Sequence, residues 1–427
     1  MNFKRTAALV ATTTTVLAAA GCGTMPGMTQ TGATAKVGTY NAAAKRKAEK
    51  GGTWTILVHM SADNNLYRFG LEDLNEMEAG VPEGSDVNVY VLFDGIKNGD
   101  SAIYKVKRDT GKNTTIISEK VDASGVIPAT NEIDSGSVDV GVKFLQWAAK
   151  NAPADHTMVA YWDHGSGVFS AGNPITKSFG HDDSGTHMNT NDLTTLGNAF
   201  HKAAGKPLSV VGFDACLMAH GEIAYQLKGN ADYLVASEEL EPGKGWEYGM
   251  WLNAVGQLSS KTPAAVTSAL VDTYAKSYGP GGVQSSGRDE ITLSSVDVNA
   301  FNNNVVPALD NFVTAATRNM ASEKAAFQAA RAKAQVFYNK DCADLGSFLK
   351  NLQGTSRNAD ITRAAGDLAS AYKASVVREV KSSHFPNASG LVLYFPTPTQ
   401  RFNPVYDDAS KIGFANTGWK NFLKSYR

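Results

Sequence analysis

Apolar positions along this chain fall into short unbroken runs, separated by stretches in which they recur every three or four residues. Trp54-Thr-Ile-Leu-Val-His-Met60 opens the series as a buried-strand run. Asp63-Asn-Asn-Leu66 then leads into Leu66 to Glu78, whose spacing predicts a helix. Val87 to Phe93 reads as the next strand. Ala102 to Val106 predicts a shorter one, in a hairpin with the run Thr114 to Ser118. Val138 to Lys150 has helical spacing. Met158-Val-Ala-Tyr-Trp162 and Leu208-Ser-Val-Val-Gly-Phe213 read as strands, with a Gly/Ser/Asn/Asp loop over 165–190 and a helix near 191–204 between them. After Cys216 the pattern predicts a helix to about Leu227, then a strand over Tyr233 to Ser237. Further on, Pro263 to Tyr278, Phe301 to Thr317 and Ser322 to Ala334 carry helical spacing. Glu290 to Val296 and Gly390 to Phe395 read as strands, the latter stopped by Pro396 and Pro398. Strands alternating with helices predict an α/β fold: a mostly parallel central sheet with helices on both faces and a helical C-terminal elaboration.

Two of these strands end on residues with chemistry. Met158 to Trp162 runs into Asp163-His164-Gly-Ser-Gly167, and Leu208 to Phe213 runs into Asp214-Ala-Cys216-Leu-Met-Ala219. In an open parallel sheet, ligands bind outside the carboxyl ends of the strands. An imidazole and a thiol would therefore meet at one edge, as the base and nucleophile of a thiol-dependent enzyme. The small neighbours Gly165 and Ala215 permit close approach. The backbone N–H groups of Gly165 and Cys216 are the expected donors to an oxyanion.

Competing readings are weaker. A lone cysteine on an apolar strand is ordinarily a core residue, but this one follows a matching His-bearing strand. His59 lies inside a strand run and His156 precedes one. His181-Asp-Asp-Ser-Gly-Thr-His187 sits in a loop without the helical His-Glu-x-x-His spacing of zinc enzymes. His-Gly-Ser-Gly has the look of an esterase oxyanion loop, yet the chain has no Gly-x-Ser-x-Gly elbow.

Composition narrows the class. The 427 residues are 43% hydrophobic, enough for a substantial core, and 40 basic side chains face 41 acidic ones. That balance gives no support for a nucleic-acid partner. Lys4 and Arg5, the small mildly apolar stretch Thr6 to Ala20 and Gly21-Cys22 read as an export signal, too short for a membrane span. Its end resembles a bacterial lipoprotein box, which predicts acylation of Cys22 and attachment to a membrane through lipid, the outer one if the cell has two. Residues 1–21 are the expected signal, 22–52 a flexible tether, and 53–427 one domain, with a core over about 53–250 and an elaboration over about 251–427. Cys342 reads as a small buried hydrophobe.

The chain resembles the clostripain family of cysteine peptidases, relatives of caspases, gingipains and legumains. The matching blocks are Trp54 to Val58 with Ala62-Asp-Asn-Asn-Leu66, Asp163 to Gly167, Phe213 to Met218 with Glu222, Ala236 to Glu239 with Glu241-Pro-Gly and Gly245-Trp246, and Gly390 to Pro396. One departure is Asp94-Gly95, where relatives often have Asp-Arg. The resemblance implies a caspase-like three-layer α/β/α sandwich and a catalytic dyad of His164 and Cys216. It also implies an endopeptidase cutting after Arg or Lys, with Asp214 reading the cation and Glu238, Glu239 and Trp246 near the pocket wall. Some relatives cut themselves between the His and the Cys, which makes Lys177 a self-cleavage candidate. No cofactor is required; calcium activates some relatives, and Asp182 and Asp183 could supply oxygens. The competing class is a catalytically silent surface lipoprotein that binds or adheres.

Overall fold

The computed structural model describes residues 51–84, 86–111, 114–169, 178–183 and 185–427. Cys22 and Lys177 therefore lie outside the described residues. A nine-stranded sheet forms the middle layer: β1 (Trp54–Ser61), β2 (Val87–Asp94), β3 (Ala102–Lys105), β4 (Glu119–Lys120), β5 (His156–Trp162), β6 (Leu208–Asp214), β7 (Ala231–Ala236), β8 (Thr292–Asp297) and β10 (Val376–Lys381). Their order is β10-β8-β7-β6-β5-β1-β2-β3-β4. The five central strands, β7 to β2 in that order, run parallel, and the flanks are antiparallel.

The central runs are apolar without alternation because both faces are covered. Ile56, Val58, Met60, Met158, Ala160, Trp162 and Val210 pack on one side, against the helices α1 (Tyr67–Gly80), α5 (Tyr248–Gln257) and α6 (Pro263–Tyr278). Leu57, Val159, Tyr161, Val211 and Phe213 point the other way. They pack toward α2 (Val138–Asn151), α3 (Asp192–Ala204), α4 (Gly221–Gln226) and the C-terminal helices. This is the expected three-layer sandwich. Local chemistry supports the helices: Thr262 caps α6 by accepting from Ala265 N–H at 3.3 Å, with Pro263 in the first turn.

The chain passes from β1 to β2 on one side, then returns to place β5 on the other side of β1. That reversal opens a crevice at the carboxyl ends of β1 and β5, where an α/β sheet presents its ligand site.

Several expectations need correction. The hairpin partner of β3 is Glu119–Lys120, not Thr114 to Ser118. Ile117 and Ser118 instead spend their N–H groups on the buried Glu78 carboxylate, at 2.8 and 2.7 Å. The helix after Cys216 begins only at Gly221, because Leu217 adopts a left-handed backbone (φ 65°) that no helix accommodates. Gly390 to Phe395 yields only β11 (Val392–Tyr394), which leaves the main sheet and pairs with β9 (Cys342–Asp344). No apolar run announces the strand β10. As the outermost strand its Val-Val-Arg-Glu-Val-Lys pattern carries exposed charge, and the apolar signal fades.

Candidate active site

Register brings the two chemical residues level. Trp162 of β5 lies opposite Asp214 of β6, and Asp163 N–H donates to Asp214 O at 3.2 Å. His164 and Cys216 each stand two residues beyond that pair, and both line one cleft of about 210 Å³. Gly165 makes the approach feasible: a Cβ there would lie 2.3 Å from the Cys216 carbonyl oxygen and 3.0 Å from its nitrogen. Gly165→Ala should therefore push the two turns apart. A shift of about 1 Å at the reacting atoms costs ~100-fold in kcat, measurable by steady-state kinetics on a P1-Lys peptide beside a melting curve showing the variant folded.

The turn carrying the thiol is held rigid. Leu217 is one of two described non-glycine residues with positive φ, a conformation that costs about 1–3 kcal/mol and persists only under restraint. Restraint comes from the segment after β7: Leu217 N–H donates to Glu239 O at 3.1 Å and Ala219 N–H to Ser237 O at 2.8 Å. The same segment touches the thiol, because Glu241 N–H donates to Cys216 Sγ at 3.2 Å. Among the described residues, neither Gly165 N–H nor Cys216 N–H is taken by another backbone carbonyl, which suits the oxyanion role.

The imidazole is oriented from the loop after β1. His164 Nε2–H donates to Asn65 Oδ1 at 2.8 Å, which fixes the tautomer and leaves Nδ1 as the basic nitrogen. Asn64 anchors this loop: its amide donates to Asp163 Oδ1 at 2.8 Å, Ser61 O at 3.0 Å and His181 O at 3.1 Å. Both side chains are held neutral, burial pushing the Cys216 thiol up and the His164 imidazole down from their ordinary values. The thiol would then lose its proton to Nδ1 as it attacks.

Beneath the thiol lies an acidic floor. Asp214 accepts from Trp246 N–H at 3.1 Å and from Tyr248 Oη at 2.8 Å, and burial raises its carboxyl to about 7. Gly245 sits so close that a Cβ would lie 2.5 Å from Asp214 Oδ1. Glu241 completes the floor. Its fully buried carboxyl lies against the Asp214 carboxyl and the Trp246 indole, sharing a proton with the first rather than meeting any cation. Burial, then the Asp214 charge, holds the Glu241 carboxyl well above its usual range. Glu76, reached by Tyr248 N–H at 3.1 Å, is raised to about 8, chiefly by burial.

This arrangement matches more than the local chemistry. The clostripain family model, peptidase C11, matches residues 58–426. The chain belongs to the clostripain family of cysteine peptidases. This clostripain-family chain is 28% identical to clostripain of Hathewaya histolytica over 230 residues, 48% of this chain and 42% of that protein. The match thus spans under half of that relative's length. In fold it is similar to a secreted C11 cysteine protease from Bacteroides thetaiotaomicron in complex with an irreversible peptide inhibitor, at TM-score 0.62 and 21% identity, covering 87% of this chain and 99% of the other. It is also similar to an inactive zymogen C11 protease from Parabacteroides distasonis, at TM-score 0.57 and 15% identity, covering 87% and 97%.

Of the other singled-out residues, Trp246 belongs to the floor and the rest fall elsewhere. Glu238 and Glu239 are buried behind the wall. Glu238 accepts from Gly390 N–H at 3.2 Å, beside Asp344. Trp246 packs over Gly212 of β6. His59 is a core residue against Ser135 O at 2.8 Å, lowered to about 4 by burial. Cys342 is buried in β9, and neither it nor Cys216 is in a disulfide. Asp182 accepts from Ser135 N–H at 3.0 Å. Among the described residues, no group of three or more His, Cys, Asp or Glu side chains could hold a metal, and no helix is long and apolar enough to cross a membrane. Asn65 and Glu241 lay within blocks quoted for the resemblance, but only the fold gives them roles.

Proposed function

We propose that this chain is a cysteine endopeptidase that cleaves after Arg or Lys. Cys216 attacks the scissile carbonyl as His164 Nδ1 takes its proton. The N–H groups of Gly165 and Cys216 hold the oxyanion. His164 then protonates the leaving amine, and water hydrolyses the acyl-enzyme. The single observation that carries the specificity is the buried pair of acids under the thiol, Glu241 packed against Asp214 with no cationic side chain acting on either. A P1 guanidinium or ammonium would supply the countercharge that this acid pair lacks. The same proposal includes lipid attachment at Cys22 and self-cleavage after Lys177. Incubating the purified chain alone and mapping new termini tests the latter; an uncut chain, or a Lys177→Ala variant cut identically, would discard it.

The test of specificity is hydrolysis of matched fluorogenic peptides differing only at P1. Turnover confined to Arg and Lys is expected, and comparable turnover of Leu or Asp would remove the pocket assignment.

The floor also sets pH dependence. A carboxyl raised to about 7 is neutral below that pH and ceases to attract a cation, while the imidazole, depressed by burial, still acts as base there. The acid limb of kcat/KM is thus expected near pH 7, carried by KM with kcat little changed. A limb near pH 4 would mean the acids ionise normally.

A further inference from the structure

We infer that Leu240 and Tyr338 form an apolar subsite for the substrate residue immediately before the basic one. This inference rests on the peptidase reading above. Both side chains are unusually exposed for their size, 38% and 59%, and Leu240 lines the cleft that holds His164 and Cys216. Their nearness is built rather than incidental. The buried Glu239 carboxylate accepts Leu240 N–H through Oε1 at 2.8 Å and Tyr338 N–H through Oε2 at 2.9 Å, so one acid fixes two residues far apart in sequence. Glu239 is itself fastened, its N–H donating to Thr292 Oγ1 at 3.1 Å. A buried carboxylate spent on two backbone donors holds a rigid apolar rim in water, an arrangement that core packing does not require.

The chemistry orients the peptide across this rim. His164 gives its proton to the leaving amine, so the departing half of the substrate lies toward His164 and Asn65. The acyl half must lie along the opposite wall, formed by Leu240, Glu241, Pro242 and Gly243. With P1 directed to Asp214 and Glu241, the preceding side chain of an extended peptide emerges on the other side of its backbone, at the mouth of the cleft. An apolar side chain there covers Leu240 and Tyr338; a charged one loses hydration with nothing to pair it.

The experiment compares peptides with P1 Lys and P2 Leu, Gly or Asp on the wild type and on a Leu240→Ser/Tyr338→Ser double variant, with a melting curve confirming the fold. Wild type is expected to prefer P2 Leu over Gly by roughly 10-fold in kcat/KM, mostly through KM, and the double variant to approach a ratio of one. A flat P2 profile in wild type, or an unchanged preference in the double variant, overturns the subsite while leaving the peptidase reading intact. Absence of turnover on every P1-Lys peptide overturns that reading and the subsite with it.

Discussion

Cys216→Ala is expected to abolish hydrolysis of P1-Lys and P1-Arg peptides, a fall of ~10⁶-fold toward background, on the scale seen when a covalent nucleophile is removed. Stability should barely change. The Sγ accepts the Glu241 N–H and donates to the Glu241 carbonyl oxygen at 3.8 Å, and the residue sits at a cleft rather than in the core, so the loss is two weak bonds. A melting temperature within about 2 °C of wild type, beside dead kinetics, separates chemistry from folding. Retained turnover would mean that another residue attacks. Cys342, buried in β9 with its thiol held well above the usual range by burial, is a poor substitute.

Asp214→Asn is expected to cut kcat/KM for basic P1 peptides by about 10²–10³-fold, because a desolvated cation loses its partner. Glu241→Gln should behave similarly, and the double variant should lose the preference for basic residues altogether. These variants should also be more stable. In the folded chain the Asp214 carboxyl is raised from 3.8 to about 7. The folded state therefore binds that proton more tightly than the unfolded chain does. Its contribution to stability is full below about pH 4 and is lost as pH rises through 7. At pH 8 the ionised acid is a burden, worsened by Glu241, Asp73 and Glu76, all raised by burial. Replacing it with neutral Asn should lift the melting temperature at pH 8 by about 2 °C, with little gain at pH 4. A melting temperature that falls at pH 8 would show that Asp214 is a structural anchor for Trp246 and Tyr248 instead.

The sequence was most legible where two layers cover a strand. In β1, β5 and β6 nearly every position is apolar or small, His59, His156 and Asp214 excepted, and such runs end abruptly where the chemistry starts. Asp214 was marked only by the family resemblance, whereas His164 and Cys216 could be singled out as candidates from those endings. Asn65 could not, because its role depends on the β1–β5 pairing that carries the loop after β1 to the imidazole. Glu241 was equally hidden: an acid before Pro-Gly looks like a solvated loop residue, and only the tertiary fold buries it against Asp214. The turn after Cys216 misled for a related reason. Its residues have ordinary helical character, but hydrogen bonds to Ser237 and Glu239 hold Leu217 left-handed. At the edges, β4 and β10 are partly solvated, so apolar pattern alone neither paired the first nor announced the second.

The most direct test of the account is covalent. A peptidyl chloromethyl ketone ending in lysine delivers a cation to the pocket and an electrophile to the thiol in one molecule. Intact mass followed by peptide mapping should find one adduct per chain, on Cys216. It should be absent with a leucine-ended reagent and much slower in Asp214→Asn. Labelling of Cys342, or equal labelling by both reagents, would contradict the joined assignment of nucleophile and acidic pocket.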